Sequence, residues 1–261
     1  MVRIKKSRMN RAFDAAATMW LAEMMRFWRS KSRIIGALTT PLTFMLFLGP
    51  GLISGFQFRG GASLDIGFFA PGLIGMSVLF ASLFAGGSII WERESGVIKE
   101  ILVAPVSRFF LALGRALGGV TIALIQGILL LIFAHLIGAR YESLAGVAAS
   151  IAVMALSGLG FMGLGIALAS KIDSSEGFQV IMSFLTMPLV LLSGAFFPIS
   201  DLPPWLSGLV HLNPLTYGVE AIRCFLLGQS SIPVSVCLAV TAVFSAVMLW
   251  LGGRMFGKIR V

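Results

Sequence analysis

The chain has 261 residues, of which 57% are hydrophobic, and its mean hydropathy is +0.96. A soluble domain of this length needs far less apolar surface to fill its interior, so the composition excludes an ordinary globular protein and indicates a chain solvated mainly by lipid. The formal net charge is +9. In a membrane protein basic residues mainly set orientation, so this charge does not indicate a nucleic-acid partner.

Six apolar stretches are long enough to cross a bilayer, which requires about 20 residues of helix. In lipid every backbone polar group must be paired within its own segment, so each stretch is predicted to be a helix. The chain is therefore predicted to form one all-α integral membrane domain over residues 1–261, with six transmembrane helices. They lie at approximately 34–56, 66–90, 109–138, 144–170, 178–197 and 233–253.

Lysine and arginine are unevenly distributed between the two predicted sides of the membrane. Seventeen fall on the side of the termini and of the loops 91–108 and 171–177, counting Arg115 near the start of the third span, whereas only Arg59, Arg140 and Arg223 fall on the opposite side. Cytoplasmic loops are enriched in basic residues. The sequence thus predicts a multi-pass protein of the cytoplasmic membrane with both termini inside the cell.

Residues 11–31 predict an amphipathic helix before the first span. A basic face opposite tryptophan and phenylalanine is typical of a helix that lies in the cytoplasmic membrane interface. The alternative is a solvated helix that packs on a soluble partner. At 100° per residue the apolar sector contains Phe13, Ala17, Trp20, Leu21, Met24, Phe27 and Trp28, and the opposite sector contains Arg11, Arg26 and Arg29.

The segment 199–228 lies between the fifth and sixth spans, on the predicted outer side. Pro203-Pro204 and Asn213-Pro214 divide it into a turn, a short helix, another turn and a second short helix. Both helices are too short to span the membrane, yet too apolar for a free loop. We expect two half-inserted helices that cap the outer end of the bundle.

The stretch WERESGVIKE, residues 91–100, places five charged side chains in a chain that is only 12% charged. The simplest interpretation is a solvated loop that fixes the topology of the chain in the membrane. However, topology depends on Lys and Arg alone, and a patch of mixed sign is better suited to a specific protein contact. Ile98, Ile101 and Leu102 share one face of a short helix that Pro105 ends. We expect this helix to offer its charges to a soluble partner.

Motifs for chemistry within the chain are weak. GLGFMG at 158–163 matches a dinucleotide fingerprint but lies inside a span, where glycines favour close helix packing. GGRMFGK at 252–258 lacks the Ser or Thr of a phosphate loop, and His135 and His211 have no partners at metal-ligand spacing. All eleven acidic residues lie outside the predicted spans. We therefore expect no enzyme activity and no bound cofactor or metal, and energy supplied from outside the lipid.

The chain resembles the ABC-2 type permeases, the membrane subunits of ATP-binding cassette exporters. The resemblance extends over nearly the whole chain and rests on three features: the amphipathic helix before six spans, WERESGVIKEILVAPVSRFFLALGRAL after the second span, and SGAFFPISDLPPWLSGLVHLNPLTYGVEAIR after the fifth. It is nearest in appearance to the drug-resistance and nodulation-factor export permeases.

The resemblance implies a homodimer that works with two copies of a separate ATPase subunit, which binds ATP and magnesium. Residues 92–104 would be the coupling helix, with Glu92, Arg93, Glu94, Gly96, Lys99, Glu100 and Pro105. Residues 11–31 would be the interface gate helix, with Trp20, Arg26, Trp28 and Arg29. Residues 200–227 would be the outer re-entrant helices, with Pro203, Trp205, Asn213, Pro214, Tyr217 and Glu220. The path between protomers would be lined by the first, second and fifth spans through Phe44, Phe47, Met76, Phe80, Phe184 and Met187.

The expected function is export of a hydrophobic or amphipathic solute, such as a drug, a lipid or a lipid-linked saccharide. A secondary carrier or channel is an alternative, which the lack of acidic residues within the spans disfavours. A membrane enzyme acting on lipid-linked substrates is a further alternative. It would require a cluster of acidic or polar residues at one membrane surface, whereas the cytoplasmic acids here alternate with bases.

Overall fold

The computed structural model describes residues 8–48, 51, 66–96, 108–199 and 202–257. Regular structure within these ranges is helical, which confirms the predicted all-α class. A π-helical turn, Phe44–Leu48, continues the second helix. In chain order the α-helices are α1 (Arg8–Arg29), α2 (Lys31–Thr43), α3 (Ile66–Glu94), α4 (Arg108–Leu136), α5 (Leu144–Ala169), α6 (Ser175–Leu191), α7 (Pro204–Leu212), α8 (Pro214–Leu227) and α9 (Val234–Phe256).

Four helices of the described chain are long and apolar enough to cross a membrane. They are α3, the segment Phe110–Leu136 of α4, α5 and α9. They correspond to the second, third, fourth and sixth predicted spans. The largest difference in a boundary is in α3, which continues to Glu94 instead of ending near residue 90.

The other two predicted spans coincide with shorter apolar helices. The helical stretch Leu38–Phe47 covers part of the first, and α6 with 17 residues covers most of the fifth. α6 ends before the predicted boundary at 197 because the chain turns after Leu191, and Gly194 has a φ of +70° that favours glycine. The count of six spans stays a prediction.

Helix α5 lies at the centre of the bundle and packs on α3, α4, α8 and α9. Glycines allow close approaches: a Cβ on Gly252 would lie 2.6 Å from the carbonyl oxygen of Gly163, and one on Gly86 would lie 2.8 Å from the carbonyl carbon of Gly165. Small residues at such crossings let helix backbones approach in membranes. The GLGFMG segment is therefore part of a helix-packing surface.

Helix α1 packs along the length of α4. The rings of Phe13 and Phe110 lie 6.2 Å apart, Trp20 Nε1 donates a hydrogen bond of 3.0 Å to Thr121 Oγ1, and Phe27 shares a buried apolar cluster with Ile122. These contacts extend from Phe13 to Phe27 along α1 and from Phe110 to Ile122 along α4, whereas helices that cross steeply touch around one point. The position of this helix in the membrane interface stays a prediction.

The short helices α7 and α8 confirm the predicted division of the segment 199–228. Pro204 and Pro214 occupy first-turn positions, where a missing backbone N–H costs no hydrogen bond. The side chain of Asn213 accepts a hydrogen bond of 3.0 Å from the backbone N–H of Leu215 and so caps α8. α8 is mostly buried against α3, α5 and α9, whereas α7 is largely exposed.

Candidate functional site

The last three residues of α3, Glu92, Arg93 and Glu94, each contact different parts of the protein. Successive residues of an α-helix point about 100° apart, so three adjacent side chains diverge around the helix axis. We call Glu92, Arg93 and Glu94 the α3 charged end.

Glu92 joins three helices. It is 7% exposed, and its two carboxylate oxygens accept hydrogen bonds from Arg26 of α1 and Arg115 of α4. Arg115 is 1% exposed and also lies 3.4 Å, Nη1 to Oγ, from Ser88 of α3. A buried charge requires a partner of opposite sign because its desolvation is costly. The position of the α1 end relative to α3 and α4 is therefore tied to this carboxylate.

Arg26 is the exposed member of this ion-pair cluster, with a side chain that is 40% exposed. Its Nη1 lies 3.6 Å from Oε1 of Glu23. Burial alone would lower the pKa of Arg26, but the hydrogen bond to Glu92 and the charges of Glu23 and Glu92 raise it above its ordinary value. Arg26 therefore stays charged at any physiological pH.

Arg93 binds the carboxyl end of α5 and the turn that follows. Its Nη2 donates to the carbonyl oxygen of Ala169 at 3.2 Å, and its Nη1 donates to the carbonyl oxygen of Ile172 at 3.3 Å and to Oδ1 of Asp173 at 3.1 Å. The last carbonyls of a helix lack partners within the helix, and a cation there is favourable.

Glu94 binds the amino end of α6. Its carboxylate accepts hydrogen bonds from the backbone N–H of Ser175 at 2.8 Å and from the hydroxyl of Ser175 at 2.6 Å. An acidic group at a helix amino terminus satisfies free N–H donors and complements the helix dipole. The α3 charged end thus contacts α1, α4, α5 and α6.

This arrangement corrects one part of the sequence analysis. Glu92 does not belong to a displayed surface, because its carboxylate is buried and paired within the chain. It also belongs to α3 and not to a separate helix that begins at residue 92. Glu94 is exposed, and Gly96, with a φ of +77°, follows in a turn. Lys99, Glu100 and Pro105 lie outside the described residues.

The predicted residues of the gate helix divide between two faces of α1. Trp20 is half-buried against α4, and Arg26 is partly buried beside Glu92 of α3, whereas Trp28 and Arg29 are exposed. The exposed fraction of Trp28 is 64%. Met24 and Phe27 of the predicted apolar sector are buried, whereas Trp28 is exposed, so only part of this sector packs against the protein.

The six predicted path residues do not form one surface. Phe47, Phe184 and Met187 are exposed, with fractions of 74%, 79% and 61%. Phe44 packs edge-on against Phe196, and Phe80 stacks on Phe84, so both are half-buried. Met76 is 3% exposed and belongs to the core of the chain, and the path between protomers stays a prediction.

The opposite end of the bundle contains a buried ion pair that the sequence analysis did not find. Glu220 and Arg223, three residues apart in α8, form a salt bridge and are almost completely buried. Arg223 Nη2 donates to the carbonyl oxygen of Gly194 at 2.8 Å, and its guanidinium lies 4.3 Å from the Phe68 ring centre. Glu220 accepts a hydrogen bond of 2.6 Å from the backbone N–H of Ser231. The i, i+3 spacing of these two oppositely charged residues in a helix was the sequence signal that could have predicted the pair.

The remaining predicted outer residues stabilise the same region. Asn213 Nδ2 donates to the carbonyl oxygen of Leu189 at 2.7 Å, and the hydroxyl of Tyr217 donates to the carbonyl oxygen of His211 at 2.7 Å. Pro203 is the residue before α7, and Trp205 in its first turn is 70% exposed. These contacts join α8 to the end of α6 and to α7.

Metal chemistry has no support in the described part of the chain. Among the residues that the structure describes, no three His, Cys, Asp or Glu side chains are grouped so that they could hold a metal ion. His135 lies 3.1 Å, Nδ1 to O, from the carbonyl of Ala139.

The four long apolar helices, in a described chain whose regular structure is helical, are those of an all-helical membrane protein. The profile of the ABC-2 type transporter family matches residues 15–227, which is most of the chain. The chain belongs to this family of transport permeases, as the sequence motifs predicted. Family membership implies an ABC transporter with an ATPase partner.

Individual relatives agree with this assignment. The inner membrane transport permease YadH of Escherichia coli (strain K12) is 30% identical over 244 residues, which cover 88% of this chain and 90% of YadH. Nodulation protein J of Rhizobium meliloti (strain 1021) is 26% identical over 254 residues, which cover 95% and 96% of the two chains. The probable multidrug ABC transporter permease YbhR of Escherichia coli (strain K12) is 26% identical over 169 residues, which cover 64% of this chain and 45% of YbhR.

Proposed function

We propose that the chain is the permease subunit of an ATP-driven exporter that moves a hydrophobic or amphipathic solute out across the cytoplasmic membrane. The solute would be a drug, a lipid or a lipid-linked saccharide. Two relatives are named as a nodulation protein and as a multidrug permease, which supports this class of solute. The functional unit would contain two copies of this chain and two copies of a separate ATPase subunit, which binds ATP and magnesium.

The observation that carries the proposal is the set of contacts of the α3 charged end. Glu92, Arg93 and Glu94 connect α3 with α1, α4, α5 and α6. A displacement of the segment 92–104 by an ATPase would therefore act on several helices at once. Packed helices joined by discrete ion pairs transmit such a movement as rigid bodies.

The exposed apolar side chains of α6 and of the π-helical turn suit the solute path. Phe184 and Met187 lie on α6, and Phe47 lies in the turn after α2. Phenylalanine and methionine form adaptable apolar surfaces that accept solutes of different shape. In the proposed homodimer these surfaces would face the second copy across the path.

The test uses the complex isolated from its native membrane and reconstituted into vesicles. ATP hydrolysis should accompany the purified chain, and Glu94→Ala should reduce solute export per ATP hydrolysed. The matched control is Glu176→Ala, another exposed acidic residue near the same end of α6. Export unaffected by Glu94→Ala, with the ATPase still bound, would contradict the coupling role of the α3 charged end.

A secondary carrier is the competing proposal, and one observation favours it. The pairs Glu220–Arg223 and Glu92–Arg115 are buried inside the chain, and buried ionisable groups are typical of ion-coupled carriers. Export by ATP-free vesicles under an imposed proton gradient would support the carrier. Export that requires ATP, and that is unaffected by the gradient, would support the ABC exporter.

A further inference from the structure

A cavity of about 290 Å³ lies between α4, α5 and α9. Its wall is apolar and includes Ala112 and Ala116 of α4, Ile166 of α5, and Ala246, Leu249 and Trp250 of α9. Its volume is close to the lower end of the range for small-molecule sites, about 300 to 1,000 Å³. None of the residues placed in the predicted path or in the α3 charged end belongs to this wall.

Small side chains explain why the three helices leave a space here. The backbones of α5 and α9 approach closely at Gly163 and Gly252, which closes one side. Facing this contact, Ala112 and Ala116 lie one turn apart on α4, and both are too short to fill the gap. The cavity is therefore a consequence of the sequence and opens toward the surroundings of the bundle.

The cavity lies near the same end of the bundle as the α3 charged end. Ala116 is adjacent to Arg115, the partner of Glu92, and Ile166 lies one turn before Ala169, the partner of Arg93. The predicted orientation makes this the cytoplasmic end. A cavity at this depth would open among the acyl chains just below the headgroups of the inner leaflet.

The cavity rim combines an aromatic ring with a positive charge. Trp250 is 57% exposed, and the guanidinium of Arg254 lies 4.9 Å from the centre of its ring. Within the residues that the structure describes, no carboxylate lies within ion-pair distance of Arg254. Tryptophan and arginine near a helix end are typical of the membrane interface, where the ring meets the headgroups. The rim thus offers a cation to an anionic headgroup.

We propose that this cavity binds one acyl chain of an anionic phospholipid of the cytoplasmic leaflet, with the phosphate group at Arg254. An apolar cavity offers water no hydrogen-bond partners, so an acyl chain is a better occupant than water. The cytoplasmic leaflet contains anionic lipids that basic side chains attract. Because the site lies on α4, α5 and α9, away from the predicted path of the first, second and fifth spans, the lipid would be a resident ligand and not the exported solute.

The test counts lipids retained by the purified complex after detergent delipidation and addition of phosphatidylglycerol, by native mass spectrometry. Ala246→Phe should abolish the tightly bound lipid, because the ring would enter the cavity from its exposed edge. The matched control, Val243→Phe, adds the same ring at an exposed position of α9 outside the cavity wall and should retain the lipid. Equal lipid retention by the two variants would overturn the assignment of the site.

The headgroup contact has a separate readout. The wild-type complex should prefer phosphatidylglycerol to phosphatidylcholine of the same chain length, and Arg254→Gln should reduce this preference by about fivefold, the effect of one basic side chain at an anionic surface. Wild-type complex that binds both lipids equally would overturn the proposed headgroup. This outcome is independent of ATP hydrolysis and export, so it tests the lipid site and not the proposed function.

Discussion

Glu92 and Arg115 form an ion pair inside the helix bundle, where Arg115 is 1% exposed. We expect Glu92→Gln to lower the free energy of unfolding by about 3 to 5 kcal/mol, because it removes the partner of a buried charge. The measurement is unfolding in mixed micelles with a rising fraction of denaturing detergent, followed by circular dichroism.

Substitutions of the two arginines that bind Glu92 provide the comparison with the stability loss of Glu92→Gln. Arg115→Met should cost less than Glu92→Gln, because Glu92 keeps Arg26 as a partner. Arg26→Met should cost least, about 0 to 1 kcal/mol, because the Arg26 side chain is 40% exposed. An equal loss of stability in all three variants would contradict the central position of Glu92.

The contact between Glu94 and Ser175 predicts a local effect. We expect Glu94→Ala to accelerate hydrogen exchange of the amides in the first turn of α6, because the carboxylate accepts hydrogen bonds from the N–H and hydroxyl of Ser175. Glu176→Ala, the control, should leave exchange at Ser175 unchanged. Equal exchange in both variants would show that the contact does not hold the helix end.

The close packing of α1 on α4 predicts that α4 does not tolerate even a methyl group at Gly114. A Cβ at this position would collide with the backbone of Ala16. Gly114→Ala should therefore cost about 1 to 3 kcal/mol of stability in the micelle unfolding experiment. The control is Gly36→Ala in α2, where no atom of the described residues, apart from the adjacent helix backbone, lies within 4 Å of the added methyl group and where stability should stay the same or rise.

The outer ion pair predicts that Arg223→Lys is not a conservative change. Arg223 binds Glu220, donates to the Gly194 carbonyl and lies over the ring of Phe68. A lysine ammonium lacks the planar fork that makes these contacts together. We expect loss of stability in Arg223→Lys approaching that of Arg223→Met, measured by thermal unfolding in detergent. Full stability of the lysine variant would show that charge alone is required.

The sequence was sufficient for the features that depend on local chemistry. Runs of apolar residues predicted α3, α4, α5 and α9 to within a few residues, and Asn213-Pro214 predicted the break between α7 and α8. The boundaries of α6 were less accurate, because hydropathy continues through the turn at Gly194 that the backbone makes.

The sequence was insufficient to predict which of two chemically similar side chains is buried and which is exposed. Glu92 and Glu94 have the same chemistry and lie two residues apart, yet one is buried between α1 and α4 and the other is exposed. Met76 and Phe184 are similarly apolar, yet one is in the core and one is at the surface. Nearly uniform hydrophobicity along these helices removes the periodic signal that would show which face is inside.

The three diverging contacts of the α3 charged end limit how this helix can move. Because Glu92, Arg93 and Glu94 are attached at different angles around one axis, rotation of α3 about that axis would stretch all three contacts together. Tilting or sliding of α3 with its attached neighbours preserves them. The end of α3 thus transmits a translation to the neighbouring helices and resists rotation about its own axis.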